Sequence, residues 1–169
     1  MRAMTETNLK DAFAGESQAH MKYLAFAEKA EKEGFEKVAL LFRAISFAEQ
    51  VHAHNHLKQL DGVGDTAANL EAAMGGENFE VEEMYPAYAV VAELQQEKGA
   101  QKSIHFALEA EKIHEDMYRE ALKSVKAGND IDPTSVYVCP VCGHTHFGMP
   151  EGRCPICNVP AEKYVAFTA

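Results

Sequence analysis

Turn-forming residues are nearly absent from residues 5–60, which contain no proline and only two glycines, Gly15 and Gly34. Apolar side chains recur there every three or four residues, the period of a helix that packs along one face. A turn-rich stretch at residues 61–65 ends the second helix, and residues 77–96 and 101–126 carry further helical patterns. Long helices joined by short connections favour an antiparallel four-helix bundle.

Two irregularities are expected in the third helical segment. The pair Gly75-Gly76 should break a short helix that begins at Thr66. Pro86 should kink the next helix or lie near an irregular turn, because proline has no backbone N–H to donate.

The C-terminal part of the chain has a different composition. Glycine, asparagine, aspartate and proline at residues 128–133 predict a linker, so we expect a helical domain at 1–130 and a small domain at 131–169. All cysteines fall in the small domain, in two C-P-x-C motifs: Cys139, Cys142, Cys154 and Cys157. Two such motifs can close one tetrahedral four-sulfur metal site. Zinc ribbons and mononuclear iron centres share this spacing, which leaves the metal open.

Clustered cysteines indicate a metal site in a reducing compartment, because disulfide frameworks spread their cysteines through a small secreted chain. The start of the chain lacks the apolar segment of a secretory signal, so we expect a cytoplasmic protein. No apolar run of about 18 residues is present, which argues against a membrane span. The net charge of −10 argues against a nucleic-acid surface.

The motif Glu-x-x-His occurs twice, as AEQVH at residues 48–52 and AEKIH at residues 110–114. Glutamate and histidine three residues apart lie on the same face of a helix, about one turn apart. Both pairs fall on the apolar face, where an uncompensated charge costs several kcal/mol, so we infer a bound cation. The predicted ligands are Glu49, His52, Glu111 and His114.

Three further glutamates complete this pattern. Glu16 lies on the apolar face of the first helix, and Glu77 and Glu80 share a face of the third long helix. A bundle that supplies single carboxylates from some helices and Glu-x-x-His from others is the arrangement of di-iron carboxylate proteins. Oxygen and imidazole ligands suit iron or manganese. Of the other histidines, we expect His54 on the surface and leave His20 unassigned.

Several motifs, in this order along the chain, resemble the rubrerythrin family: GESQAHMKY, AEQVH, GENFEVEEMYP, AEKIH, CPVCG and CPICN. The resemblance covers essentially the whole sequence. It implies an all-α, ferritin-like four-helix bundle with a small C-terminal rubredoxin-like metal-binding domain. The activity that it implies is that of a non-haem di-iron peroxidase, which reduces hydrogen peroxide to water during oxidative stress.

The resemblance also implies residue roles. It makes Glu49 and Glu111 bridging ligands of a di-iron centre that is oxo-bridged when oxidised, and it lets His52 exchange with Glu80 as the oxidation state changes. Tyr23 would donate hydrogen bonds to ligands. Tyr85 would be a second donor of this kind, and the terminal ligands of the di-iron centre would be Glu16, Glu77, Glu80 and His114. The four-cysteine site would hold rubredoxin-type iron rather than zinc, on Cys139, Cys142, Cys154 and Cys157.

The partners implied by the resemblance are hydrogen peroxide, a redox donor protein (rubredoxin or an NAD(P)H-dependent reductase) and a second copy of the chain in a homodimer. The main alternative is a ferritin-like iron-storage or ferroxidase protein whose cysteine tail is a structural zinc ribbon. Its bundle ligands would be nearly the same, so the tail metal decides between the two. An interaction module without chemistry would leave the Glu-x-x-His pairs unexplained.

Overall fold

The computed structural model describes all residues, 1–169, and contains the four long helical segments that the sequence predicts. The third segment is helical throughout, but its two α-helices are joined by a π-helical turn at Glu80–Met84. No helix in the chain combines the length and the apolarity that a membrane crossing needs. The helices are α1 (Ala3–Lys32), α2 (Glu36–Gln59), α3 (Thr66–Phe79), α4 (Tyr85–Leu94) and α5 (Lys98–Lys126).

The chain divides into two compact units, residues 1–64 and residues 65–169. In the first unit α1 and α2 form a helical hairpin that turns at Gly34, whose φ of +85° is a conformation that glycine adopts without steric cost. Its buried side chains are all small, which lets the two helices approach closely: Ala27, Ala30, Ala39, Ser46 and Ala53. Large apolar side chains of α2, including Leu41 and Phe47, remain exposed in this hairpin.

In the second unit α3 and α4 pack against α5, and a three-stranded antiparallel sheet follows α5. The strands are β1 (Ser135–Val138), β2 (Thr145–Phe147) and β3 (Val165–Thr168), in the order β2-β1-β3. Strand β2 contacts α5, so the cysteine-bearing tail and the last helix belong to one compact unit. The domain boundary at 130/131 falls in the segment between α5 and β1 and stays a prediction.

The expectation that Gly75-Gly76 breaks a helix is wrong, because α3 continues through both glycines to Phe79. Each glycine weakens a helix by only about 1 kcal/mol relative to alanine, and the packing of α3 on α5 offsets a loss of that size. The irregularity lies instead in the π-helical turn, directly before Tyr85 and Pro86. This agrees with the expectation for Pro86, whose ring and missing N–H disrupt a regular turn that precedes it.

Candidate metal centres

The first unit brings together Glu16 from α1 with Glu49 and His52 from α2. Their ligand atoms all lie within 4.8 Å of one another, close enough to hold one metal ion. The Nδ1 atom of His52 is 3.0 Å from a carboxylate oxygen of Glu49 and 3.8 Å from one of Glu16. The Glu49 side chain is 16% exposed and that of His52 is 52% exposed. The carboxylate is therefore largely withdrawn from water, while the imidazole stays accessible.

The second unit brings together Glu77 from α3 with Glu111 and His114 from α5, again within 4.8 Å. The Nδ1 atom of His114 lies 2.5 Å from a carboxylate oxygen of Glu111. These two side chains are 26% and 18% exposed, so this group is more buried than the first. Each of the two Glu-x-x-His motifs thus meets a glutamate from another helix of its own unit.

In the second group the negative charges of Glu77 and Glu111 repel each other. Burial, followed by the negative charge of Glu111, raises the pKa of Glu77 to about 7. The same two causes raise the pKa of Glu80 above its usual value. The hydrogen bond to Glu111 is the largest of the influences that raise the pKa of His114. Clustered carboxylates that resist ionisation in this way are relieved by a cation, as at a metal site.

The other predicted donors have different surroundings. Burial, together with the charges of Glu80 and Glu111, raises the pKa of Tyr85, which keeps its hydroxyl protonated and able to donate. Tyr23 packs in an aromatic cluster, with its ring centroid 6.1 Å from those of both Phe26 and Phe42. The ligand and donor roles of these residues remain predictions.

Two histidines of the first unit fit their surroundings without a metal. His20 bonds through Nδ1 to the hydroxyl and the carbonyl of Ser46, each at 2.9 Å, so it ties α1 to α2. His54 is exposed, as expected. Tyr118, which the sequence analysis did not assign, lies one turn after His114. Burial, followed by the charges of Glu77 and Glu111, raises the pKa of Tyr118, and its spacing of four from His114 is the signal that could have found it.

The cysteines of the tail converge on one point. Their sulfur atoms lie within 4.8 Å of one another, and all four cysteines are free thiols. The Sγ atoms of Cys139 and Cys157 are 3.5 Å apart, and those of Cys142 and Cys154 are 3.4 Å apart. Metal–sulfur bonds of about 2.3 Å in a tetrahedron place sulfur atoms roughly 3.8 Å apart, whereas a disulfide bond is about 2.05 Å long. The spacing fits a four-sulfur metal site.

Neighbouring groups favour the thiolate form of one cysteine. Burial raises the pKa of Cys154, but backbone N–H groups and the hydroxyl of Tyr164 outweigh it and lower this pKa to about 6. The same hydroxyl lies 2.8 Å from Nδ1 of His144, and both residues are buried. Sequence reasoning missed Tyr164, since nothing in the local pattern marks a residue seven positions after the last cysteine. His144 is not among the residues that converge on this point.

Each Glu/His group has the donor set of an iron site of the di-iron carboxylate type, and the four-cysteine group fits one iron or zinc ion. Fold and sites therefore define a helical di-iron protein with a rubredoxin-like tail. The rubrerythrin family model matches residues 7–122. The chain is 40% identical to rubrerythrin-2 of Clostridium acetobutylicum, over 98% of this chain and 97% of that protein. It is 34% identical to nigerythrin of Nitratidesulfovibrio vulgaris, over 96% of this chain and 86% of that one.

Solved structures give the same result. A partially reduced state of nigerythrin matches with a TM-score of 0.58 at 32% identity, covering 96% of this chain and 86% of that one. A fully reduced, all-ferrous state gives the same values. The chain belongs to the rubrerythrin family. The predicted fold class, an all-α ferritin-like bundle with a small rubredoxin-like domain, is confirmed.

Proposed function

We propose that the protein is a peroxidase that reduces hydrogen peroxide to water, receiving its electrons through iron in the four-cysteine site. Membership of the family makes it a di-iron oxidoreductase with a role in oxidative stress. The observation that carries the finer proposal is the presence, in one compact unit, of a carboxylate–histidine group on α3 and α5 and a four-cysteine group that packs against Phe106 of α5. Storage of iron needs no electron carrier beside the ligands.

The proposed iron ligands are the glutamates and histidines of both Glu/His groups together with Glu80. Glu49 and Glu111 are proposed to bridge the irons, because each belongs to a Glu-x-x-His motif and its side chain is largely withdrawn from water, at 16% and 18% exposed. The proposed terminal ligands are Glu16, Glu77, Glu80 and His114, and His52 is proposed to exchange with Glu80 as the oxidation state changes. A pair of irons held in this way supplies the two electrons required by H2O2 + 2H⁺ + 2e⁻ → 2H2O.

The side chains at the site are proposed to balance the charge of the metals and to donate hydrogen bonds to the ligands. The carboxylates offset the positive charge of the metal pair in a largely buried place. Tyr85 is proposed to donate a hydrogen bond to a ligating carboxylate, and the rise of its pKa beside Glu80 supports this role. Tyr23 is proposed for the equivalent role in the first group, where it shares α1 with Glu16.

The tail is proposed to hold iron because a carrier must change its oxidation state, which zinc does not do. The alternative, iron storage or ferroxidase activity with a structural zinc tail, predicts the same bundle metals. Two measurements on purified full-length protein separate them: the metal content and the visible spectrum. We expect about three irons per chain, two in the bundle and one in the tail, and a red colour that bleaches on reduction.

Peroxide should restore the colour of the anaerobically reduced protein. Glu49→Ala should abolish this return while the oxidised protein stays red, and Glu36→Ala, an exposed position at the start of α2, is the matched control. A colourless protein with zinc in the tail would contradict the relay. A red protein that peroxide does not reoxidise would contradict the peroxidase activity itself.

A redox donor protein, rubredoxin or an NAD(P)H-dependent reductase, is the proposed source of electrons, and the cytoplasm is the proposed location. The free thiols of the tail support a reducing compartment. A homodimer is also proposed. Exposed apolar side chains such as Leu40, Phe47 and Val90 are the kind of surface that a second copy would cover, and light scattering of the purified protein tests this.

A further inference from the structure

The tail contacts His114, a proposed metal ligand, through the hydroxyl of Thr145 and the backbone of Gly143. Thr145, the first residue of β2, places its hydroxyl oxygen 2.8 Å from Nε2 of His114 on α5. The same hydroxyl donates its proton to the carbonyl oxygen of Gly143 at 3.0 Å. A hydroxyl group has only one proton, so toward His114 the threonine can only accept. The bond between Thr145 and His114 therefore needs a proton on Nε2.

This assignment determines which nitrogen of His114 can bind a metal. A neutral imidazole has one N–H and one lone pair, so a proton on Nε2 leaves the lone pair on Nδ1. Nδ1 is the atom that lies 2.5 Å from Glu111 within the group Glu77, Glu111 and His114. In the metal-free protein Nδ1 donates to the carboxylate of Glu111. A metal ion at Nδ1 would replace that proton and leave the imidazole neutral with its proton on Nε2, the nitrogen that donates to Thr145.

The backbone around Thr145 is held close to α5. Gly143 has a φ of +79°, and a side chain added there would lie 3.7 Å from the Cβ of Ala110, one helical turn before His114. Thr145 itself pairs with Val138 in the β1–β2 ladder, directly before the first cysteine. The close approach of Gly143 to Ala110 and the pairing of β2 with β1 therefore fix the position of the Thr145 hydroxyl.

We propose that Thr145 is a positioning residue for the metal that His114 binds, and that metal binding at Glu77, Glu111 and His114 and docking of the cysteine tail stabilise each other. The inference rests on the proposed use of His114 as an iron ligand. A bound cation withdraws electron density from the imidazole, which makes its Nε2–H a stronger donor to Thr145. By thermodynamic linkage, a docked tail must then raise the metal affinity by the same factor.

The test compares Thr145→Val, which removes only the hydroxyl, with Thr145→Ser, which keeps it. Thr145 lines an apolar cavity of about 330 Å³ together with Val136 and Phe147, so valine is compatible with folding. Thr168→Val, at an exposed position of β3, is the matched control. Full-length protein with zinc in the tail is titrated with Fe(II) without oxygen. The valine variant should bind iron about tenfold more weakly, and the serine and control variants should match the wild type.

Two further readouts do not depend on turnover. Nitrogen-15 NMR of His114 in iron-free protein should show Nε2–H hydrogen-bonded to Thr145 in the wild type and in Thr145→Ser, and loss of this bond in Thr145→Val. Amide hydrogen exchange in β2 should slow when Fe(II) binds, except in the valine variant. Unchanged iron affinity and unchanged exchange in Thr145→Val would overturn this inference alone. A wild-type protein that binds no Fe(II) at these residues would overturn the proposed function as well.

Discussion

Replacing Glu77 with glutamine should stabilise the metal-free protein at high pH while it weakens iron binding. Burial and the charge of Glu111 raise the pKa of Glu77 from 4.5 to about 7. A rise of about 2.5 pKa units corresponds to roughly 3.4 kcal/mol. Because the side chain is only partly buried, solvent screening reduces this to about 2 kcal/mol.

The sign follows from proton binding. Between pH 4.5 and about 7 the folded protein holds a proton on Glu77 that the unfolded chain has lost. The free energy of unfolding therefore falls as the pH rises through this window. Glutamine has the same shape, but its amide does not ionise, so it avoids the loss. We expect nearly equal stabilities near pH 4.5 and a variant that is more stable by about 2 kcal/mol at pH 8.

Urea unfolding of metal-free protein, followed by circular dichroism at both pH values, measures this difference. Glu82→Gln, an exposed position in the π-helical turn that follows α3, is the control and should show no pH-dependent change. With Fe(II) present the order should reverse, since a ligand that binds only the folded state stabilises it in proportion to its affinity. A stability difference between Glu77→Gln and the wild type that is the same at both pH values would refute the reasoning.

Three other predictions concern single contacts. Because the pKa of His114 is raised, its contribution to the stability of metal-free protein is present below pH 6.5 and is lost as the pH rises through the folded pKa. The affinity for Fe(II) should instead rise with pH, and anaerobic titrations between pH 5 and 8 measure it. Asp65→Ala should destabilise the protein by about 1 kcal/mol in urea, because Asp65 caps α3 by accepting the N–H of Ala68 at 2.8 Å, and Asp65→Asn should not. Tyr164→Phe should raise the pKa of Cys154 from about 6. The rate of alkylation of metal-free protein, measured against pH, reports this pKa, and an unchanged pH dependence would exclude a hydrogen bond from the Tyr164 hydroxyl to Cys154.

Much of this fold and of the candidate ligands is readable from local spacing. The four helical segments and the two C-P-x-C motifs are patterns within a few residues, and the structure contains both. The two Glu-x-x-His motifs predicted which glutamates and histidines cluster within each unit. The helix break at Gly75-Gly76 failed as a prediction, because packing of α3 on α5 outweighs the low helix propensity of glycine.

What the sequence could not show depends on contacts between distant segments. His114 and Thr145 are 31 positions apart, and their bond depends on how closely the tail docks on α5. The bond between Tyr164 and His144 likewise joins the residue before β3 to a loop 20 positions earlier in the chain. Such pairs leave no periodic signal in the sequence, so only the folded chain identifies them.

The charges of the second unit suggest why metal and tail should act on each other. Ionisation of Glu77 beside Glu111 destabilises the metal-free protein as the pH rises, and a cation removes that cost. The imidazole of His114 lies between this cation site and the hydroxyl of Thr145, with one nitrogen toward each. Loss of the metal would therefore weaken the bond that helps to dock the tail, and loss of docking would weaken metal binding. An electron carrier coupled in this way would be held most firmly when its proposed acceptor is loaded with metal.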